Sequence, residues 1–410
     1  MTFRLINRIF TSILLIIVFF SHDYACTILN LNSQKGKFLC NNEDWNDPNT
    51  RIWFRESQDN KFGCVFLGFS NYWAQGGMNE KGLCFDWVAY NPFTDSQNVI
   101  DPAKQTYEGN LSQKIIEECE TVDEAISYYS IYNEEAFYYA KIMFNDEFGN
   151  SAIVGWKDGK VRVEKATKNY QVLGYGQNII ESIIKDDPEL SIRYMAYLLD
   201  SAHQEGQYAT KYSNIYDISN KKIYLFYERN FDEFIQFDFT YEIKNDKNYN
   251  ISSLFSSISI LHPTPESIVN PSTVKFKWKG KIENNYYFYC STDSNFTNVN
   301  PVIVKSSNLP KQYYAYLNFF FIVVSLLCCL KIKFKKFNNK LFLLLLISLF
   351  ISCVNKKNVT EPTLVGIQEI STTIEGLEPN TKYFWKIKAI PEKYKQHSSE
   401  IFIQSFLTSN

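Results

Sequence analysis

Cys26 and Asp44 are the residues whose types and spacing most directly suggest chemistry. The stretch SHDYACTILNLNSQKGKFLCNNEDW, residues 21–45, puts a cysteine at the end of an apolar leader and a carboxylate one short hairpin later. Arg4 and Arg8, the apolar run from Ile9 to Phe20 and small Ala25 have the layout of a secretory signal over residues 1–25, although Asp23 fits the cleavage preference poorly. Removing that leader, by a peptidase or by autocatalysis at the same bond, leaves Cys26 first. A terminal cysteine carries nucleophile and base on one residue. Its α-amine pKa of roughly 7.7–8.0 lies near the thiol's roughly 8.5, so a proton moves between them at little cost. A histidine base is the alternative. Of the four histidines only His203 lies between the leader and residue 250, and its helix-end context SAHQEGQ reads more simply as a solvated residue beside the helix dipole.

The elements that must position this pair are strand-rich. Residues 27–32, 36–40, 51–56, 63–69 and 83–90 read as short strands separated by Gly, Asn and Asp. Residues 109–130 carry apolar side chains at helical spacing, and TVDE at 121–124 is a capping box that starts a second helical segment. A hairpin turning at Gly149 and Asn150 follows, then helix over 179–203 and two closing strands in KKIYLFYE and EFIQFDFTYEI. Sheets covered by helices are the expected outcome of this order.

The 410 residues allow more than one domain, and a formal net charge of -2 gives no global reason to expect a nucleic-acid partner. The 28 Tyr and 33 Phe suit half-buried sheet surfaces. Nine cysteines at 26, 40, 64, 84, 119, 290, 328, 329 and 353 contain no CxxC pair, so neither a zinc site nor a dense disulfide framework is expected. No metal or organic cofactor is implied.

After the Ser-rich ISSLFSSISI, the segments TVKFKWKG and NYYFYCSTDSNF alternate like sandwich strands. Leu377, Pro379, Thr381, Tyr383, Ile387 and Ala389 resemble the L-x-P-x-T-x-Y-x-x-x-I-x-A run of fibronectin type III domains, in which the tyrosine forms a tyrosine corner. Such a domain implies a spacer or binding module rather than a catalyst. Between its two halves, YYAYLNFFFIVVSLLCCL at 313–330 has 18 residues without a charge, long enough as a helix to run roughly 27 Å. LFLLLLISLFISCV at 341–354 would return, and the lysines of the intervening KIKFKKFNNK put that loop in the cytoplasm. The expectation is an exported protein anchored through membrane lipid by residues 313–354, with both remaining regions on the extracytoplasmic side.

The first region resembles the cysteine N-terminal nucleophile (Ntn) hydrolases of the choloylglycine hydrolase, penicillin V acylase and acid ceramidase type. ACT at 25–27, NNEDW at 41–45, GGMNEKGL at 76–83, NDEFGNSAIV at 145–154 and YSNIYDI at 212–218 carry the likeness. It implies that Cys26 attacks an amide carbonyl, that Asp44 holds its α-amine, and that Arg193 is the cation near the thiol. By the same likeness an asparagine after QVL helps form the oxyanion hole, a part that falls here to Asn178, to Tyr175 or to backbone N–H groups, and Asn79, Tyr90 and Tyr175 belong to the substrate site. Asn79 in its Met-Asn-Glu-Lys-Gly context also reads as a turn residue that positions the following strand. Three departures stand out: Asn41 occupies the position of an arginine in many relatives, Ala89 and Tyr90 replace a pocket Asn or Tyr, and VLGYGQN lacks the asparagine expected after QVL.

The expected fold class is therefore α+β. A four-layer αββα Ntn-hydrolase domain at 26–250 is followed by an all-β fibronectin type III-like sandwich in two halves, 258–310 and 357–410, interrupted by a transmembrane helical hairpin at 311–356. The expected activity is hydrolysis of linear, non-peptide amide C–N bonds in a small N-acyl amide. A surface binding protein that has lost turnover, or an acyltransferase using the same acyl-enzyme, is the alternative.

Overall fold

The computed structural model describes residues 26–90, 100–185, 190–281, 284–305, 367–391 and 394–410. The expected leader and transmembrane hairpin lie outside these residues, and among the described residues no helix is long and apolar enough to cross a membrane. The fold is mixed and sheet-rich. It divides into two compact units, one made of the chain up to Ile258 together with Lys386–Gln404, the other of Ser259–Trp385 with Ser405–Asn410.

The first unit opens with a hairpin of β1 (Thr27–Ser33) and β2 (Gly36–Asp44), in register from Thr27 opposite Asn42 to Ser33 opposite Gly36. A meander follows: β3 (Thr50–Arg55), β4 (Cys64–Phe69), β5 (Ala74–Asn79) and β6 (Cys84–Ala89). The strand β5 is one that sequence reading passed over, because AQGGMN has neither alternation nor β-branched residues. Short β7 (Gln105–Thr106) leads to helices α1 (Leu111–Glu118) and α2 (Val122–Ile131), the latter followed by β8 (Tyr132–Asn133). Both helical segments expected over 109–130 form, the second starting at the expected box. Asn110 caps the first, and the Thr121–Glu124 box caps the second with both reciprocal hydrogen bonds.

The chain continues through β9 (Ala140–Asn145), β10 (Ser151–Lys157), β11 (Lys160–Lys165) and β12 (Tyr170–Gly174). The region expected as one helix over 179–203 holds α3 (Gln177–Ile183) and α4 (Ile192–Ser201). Strands β13 (Thr210–Asp217), β14 (Lys222–Tyr227) and β15 (Asn230–Asp238), helix α5 (Phe239–Glu242) and β16 (Lys247–Asn250) complete the run.

Two antiparallel sheets result. One orders β12-β1-β2-β13-β14-β15, and the other β11-β10-β9-β6-β5-β4-β3-β16. Three apolar cores follow from alternation in these strands. Ile28, Leu39, Leu67, Met78, Tyr212 and Leu225 pack between the sheets. Phe66, Phe85, Ile115 and Tyr129 join the second sheet to α1 and α2. Leu29, Cys40, Met195, Leu198 and Ile215 join the first sheet to α3 and α4. Along β2, Leu39 faces the other sheet and Cys40 faces α4, so Asn41 and Glu43 fall on the inter-sheet side. Cys40, Cys64, Cys84 and Cys119 are buried and unpaired.

The second unit pairs β17 (Ser259–His262) with β19 (Thr273–Lys281) and β19 with β22 (Ile367–Glu375). It also holds β18 (Ile268–Val269), which pairs in parallel with β25 (Gln404–Thr408), and the hairpin of β20 (Asn285–Ser291) with β21 (Val302–Lys305). Its core stacks Phe276 against Phe288 at 4.5 Å and against Trp385 at 5.3 Å. Tyr383, on β23 (Lys382–Ile390), accepts a hydrogen bond at its hydroxyl from the Glu378 amide at 3.1 Å, the bond a tyrosine corner makes. Strand β24 (Ser399–Ile401) belongs to the first unit and pairs with β15.

Candidate active site

The β1–β2 hairpin brings Cys26 and Asp44 together. Thr27 lies opposite Asn42, so the residues flanking that pair meet at the open end of the hairpin. The backbone nitrogen of Cys26 donates to Asp44 Oδ2 at 3.0 Å, and the Asp44 amide donates to Cys26 Sγ at 3.5 Å. Cys26 has φ +70°, a conformation a non-glycine residue adopts only when its neighbours impose it. Those neighbours are the residues of VLGYGQN. The Tyr175 amide donates to the Cys26 carbonyl at 2.9 Å, and the Gly176 amide donates to Thr27 Oγ1 at 2.9 Å. Gly174 has φ +103°, and a Cβ there would stand 2.3 Å from the Cys26 carbonyl oxygen.

Asp44 is fully buried, and each of its oxygens is occupied. Thr210 Oγ1 donates to Oδ1 at 2.5 Å, and Gln204 Nε2 donates to Oδ2 at 2.7 Å. Burial pushes the carboxyl up to about 7 against these hydrogen bonds, which pull it down. Gln204 and Thr210 sit just past α4 and at the start of β13. Neither has a sequence signal beyond lying next to the YSNIYDI run.

Two further carboxyls surround the sulfur, and sequence reading missed both. Glu43 Oε1 accepts from Cys26 Sγ at 3.7 Å, while Oε2 accepts from Asn41 Nδ2 and the Tyr212 hydroxyl, each at 3.4 Å. Burial first, then the Asp44 charge, push Glu43 up to about 8. Asp86 on β6 is buried, and neither oxygen has a well-formed partner, the Trp87 amide being the one weak donor nearby. Burial and then Glu43 hold its carboxyl well above the usual range. The Cys26 thiol is raised as well, by burial and then by Glu43 and Asp44. Alternation in β2 was the available signal: Leu39, Asn41 and Glu43 share one face, so an inward acid follows once Leu39 is assigned to the core.

Cys26 lines a cleft of about 380 Å³. Trp45, Phe69, Trp73, Trp87 and Tyr139 form its aromatic walls, Asn71, Gln75 and Asn110 line it with side-chain amides, and Glu134 is a second acid besides Glu43. Burial pushes Glu134 up to about 7.

The other expected site residues lie elsewhere. Arg193, on α4, is exposed and stacks its guanidinium over Phe402 at 5.5 Å, so it is not the cation beside the thiol. Asn178 on α3 is exposed and does not line the cleft, and the Tyr175 side chain is also exposed; what this segment supplies is its backbone hold on Cys26. Asn79 is buried and saturated. Its Nδ2 donates to the Ile116 and Cys119 carbonyls at 2.8 and 2.7 Å, and its Oδ1 accepts from the Lys81 and Leu83 amides, both at 3.0 Å. Tyr90 points its hydroxyl to the Phe137 and Trp156 carbonyls, with Lys141 over its ring, while Ala89 reaches the cleft. Arg193, Asn178, Asn79 and Tyr90 correspond to a site only by their order along the chain, and tertiary packing directs each side chain away from Sγ. Among the described residues no group of His, Cys, Asp and Glu has the arrangement to hold a metal ion.

The first unit thus presents a buried cysteine hydrogen-bonded to a buried carboxyl on an antiparallel sheet packed on a second sheet, with helices on the outer faces. No protein-family model matches the chain, and no curated protein matches it. Among solved structures it is similar to penicillin V acylase from Agrobacterium tumefaciens, at 15% identity and a TM-score of 0.40 over 49% of this chain and 82% of that one. It is also similar to two variants of conjugated bile acid hydrolase from Clostridium perfringens, each at 15% identity and a TM-score of 0.44, over 55% of this chain and 96% and 97% of theirs.

Proposed function

We propose that the chain is an exported hydrolase of linear amide C–N bonds that forms an acyl-enzyme on Cys26. One observation carries the reading: the Cys26 nitrogen lies 3.0 Å from a buried carboxyl while the same residue lines a cleft. Once the bond to Ala25 is cut, that nitrogen is an amine. In its neutral form it takes the thiol proton as Sγ attacks the carbonyl, and the resulting ammonium gives the proton to the departing amine. Water, deprotonated by the same amine, then releases the acid. Asp44 holds the amine in place and balances its charge, and Thr210 and Gln204 fix Asp44. Glu43 protonated near pH 7 does not oppose the sulfur, since a neutral carboxyl adds no repulsion to the developing thiolate. The step itself calls for no metal or organic cofactor.

The helix–sheet–sheet–helix order of the first unit suits the αββα arrangement that the resemblance implies. The second unit, with its Tyr383 corner, suits a fibronectin type III-like sandwich acting as a spacer. Residues 313–354 anchor the protein in membrane lipid with both units outside the cytoplasm; cysteine-accessibility labelling of the lysine-rich loop from outside would overturn that topology.

Mass spectrometry of exported protein should find Cys26 as the first residue. A panel of N-acyl amides should be turned over by wild type, not by Cys26→Ala, and about 100-fold to 10,000-fold more slowly by Asp44→Asn, which leaves the proton-transferring amine without the charge that holds and balances it. The competing reading, a surface binding protein without turnover, draws on the departures at Asn41 and in VLGYGQN. A free Cys26 inert to every acyl substrate and acyl probe would establish it.

A further inference from the structure

The charge of the cleft exceeds what the proposed reaction uses. Glu43 and Glu134 line it, Asp44 and Asp86 lie close behind Sγ, and none of the described lining residues is Lys, Arg or His. A freed α-ammonium on Cys26 would be matched by Asp44 alone. Burial in this largely aromatic cleft favours the neutral forms of Glu43 and Glu134, and a bound cation, by pairing with them, would draw out their ionised forms. Glu134 keeps one local donor, the Ala136 amide at 3.1 Å on Oε1, which leaves lone pairs free for a ligand. Phe69, Trp73, Trp87 and Tyr139 supply ring faces around the same space, and aromatic faces combined with carboxylates are the chemistry that recognises organic ammonium ions.

We propose that the part of the substrate seated in this cleft carries an alkylammonium group, paired with Glu134 and Glu43 and flanked by the aromatic walls, so that cationic amides are selected over anionic ones. Turnover of such amides rests on the hydrolase reading given above, whereas ligand selection stands on the cleft itself. A carboxylate in the same place would meet two acids and no cation, so acyl or amine groups bearing carboxylates are disfavoured.

The test separates the two. Full-length Cys26→Ala protein is titrated with benzyltrimethylammonium, phenylacetate and benzyl alcohol, using the fluorescence of the tryptophans that line the cleft. The cation should bind at least about tenfold more tightly than either other probe, the discrimination one desolvated cation–π contact or ion pair supplies. Glu134→Gln should weaken the cation at least about fivefold and leave benzyl alcohol where it was. Equal binding of cation and alcohol, a preference for phenylacetate, or a Glu134→Gln variant with undiminished cation binding would each overturn the inference. In parallel, wild type is assayed on matched amides ending in an ammonium or a carboxylate. Absence of all turnover would remove the hydrolase reading while the titration still decides the ligand.

Discussion

At the scale of residues, the acid cluster around Cys26 ties stability to proton binding. Glu43 rises from an ordinary 4.5 to about 8 and Asp44 from 3.8 to about 7. Both folded values lie above the unfolded ones, so between them the folded chain holds protons that the unfolded chain has released. That contribution is complete below about pH 4 and disappears as pH rises to about 8. The full span for Glu43 is worth up to roughly 5 kcal/mol. Melting of the full-length chain from pH 5 to pH 8 should show Tm falling, and Glu43→Gln should flatten the fall. Superimposable profiles would remove Glu43 from the account. A free α-ammonium at Cys26 favours ionised Asp44, so protein with Cys26 exposed should lose less stability over this range than protein still joined to Ala25.

At the scale of elements, the loops around β5 and β12 serve backbone geometry. Asn79 closes the β5–β6 turn and ties it to the end of α1 through four hydrogen bonds. Asn79→Ala strands two buried carbonyls and two amides and should cost about 2–4 kcal/mol, read as a lower Tm, with KM unchanged. A raised KM at wild-type stability would restore Asn79 to the substrate site. Gly174→Ala should be worse for chemistry than its size suggests. It needs φ +103° and drives a methyl onto the Cys26 carbonyl, so the expected loss is at least about 2 kcal/mol together with kcat, because the displaced residue is the nucleophile.

At the scale of the molecule, the first unit is closed by a segment from the far end of the chain. β24 hydrogen-bonds to β15 from Glu233 opposite Ile401 to Ile235 opposite Ser399. Phe402 packs on Phe234 at 4.8 Å, and His397 sits against Phe237 and Tyr249 at 4.9 and 4.8 Å. A chain ending at Ile258 keeps every residue of the proposed active site but leaves the β15 edge unpaired and this apolar surface in water, conditions that favour edge-to-edge association. It should elute as aggregate in size-exclusion chromatography and melt below the full-length protein. A monomeric truncated form of undiminished Tm would show that the closing segment is dispensable.

What the sequence determined by itself is whatever neighbouring residues decide. The alternation of TILNLNS and GKFLCNNED, the Thr121–Glu124 box and the pairing of Cys26 with Asp44 across a tight hairpin are all local, because period, cap and register depend on residues within a few positions or one turn. The tertiary structure alone decided which side chains gather around Cys26, Asp44 and the cleft. Gln204, Thr210, Asp86 and Glu134 arrive from strands and loops that only sheet pairing and sheet-on-sheet packing bring near Cys26, while Arg193 and Asn178, plausible by order along the chain, end on outer faces. Desolvation is equally non-local: a glutamate beside a cysteine becomes a proton holder only once both sheets have closed over it.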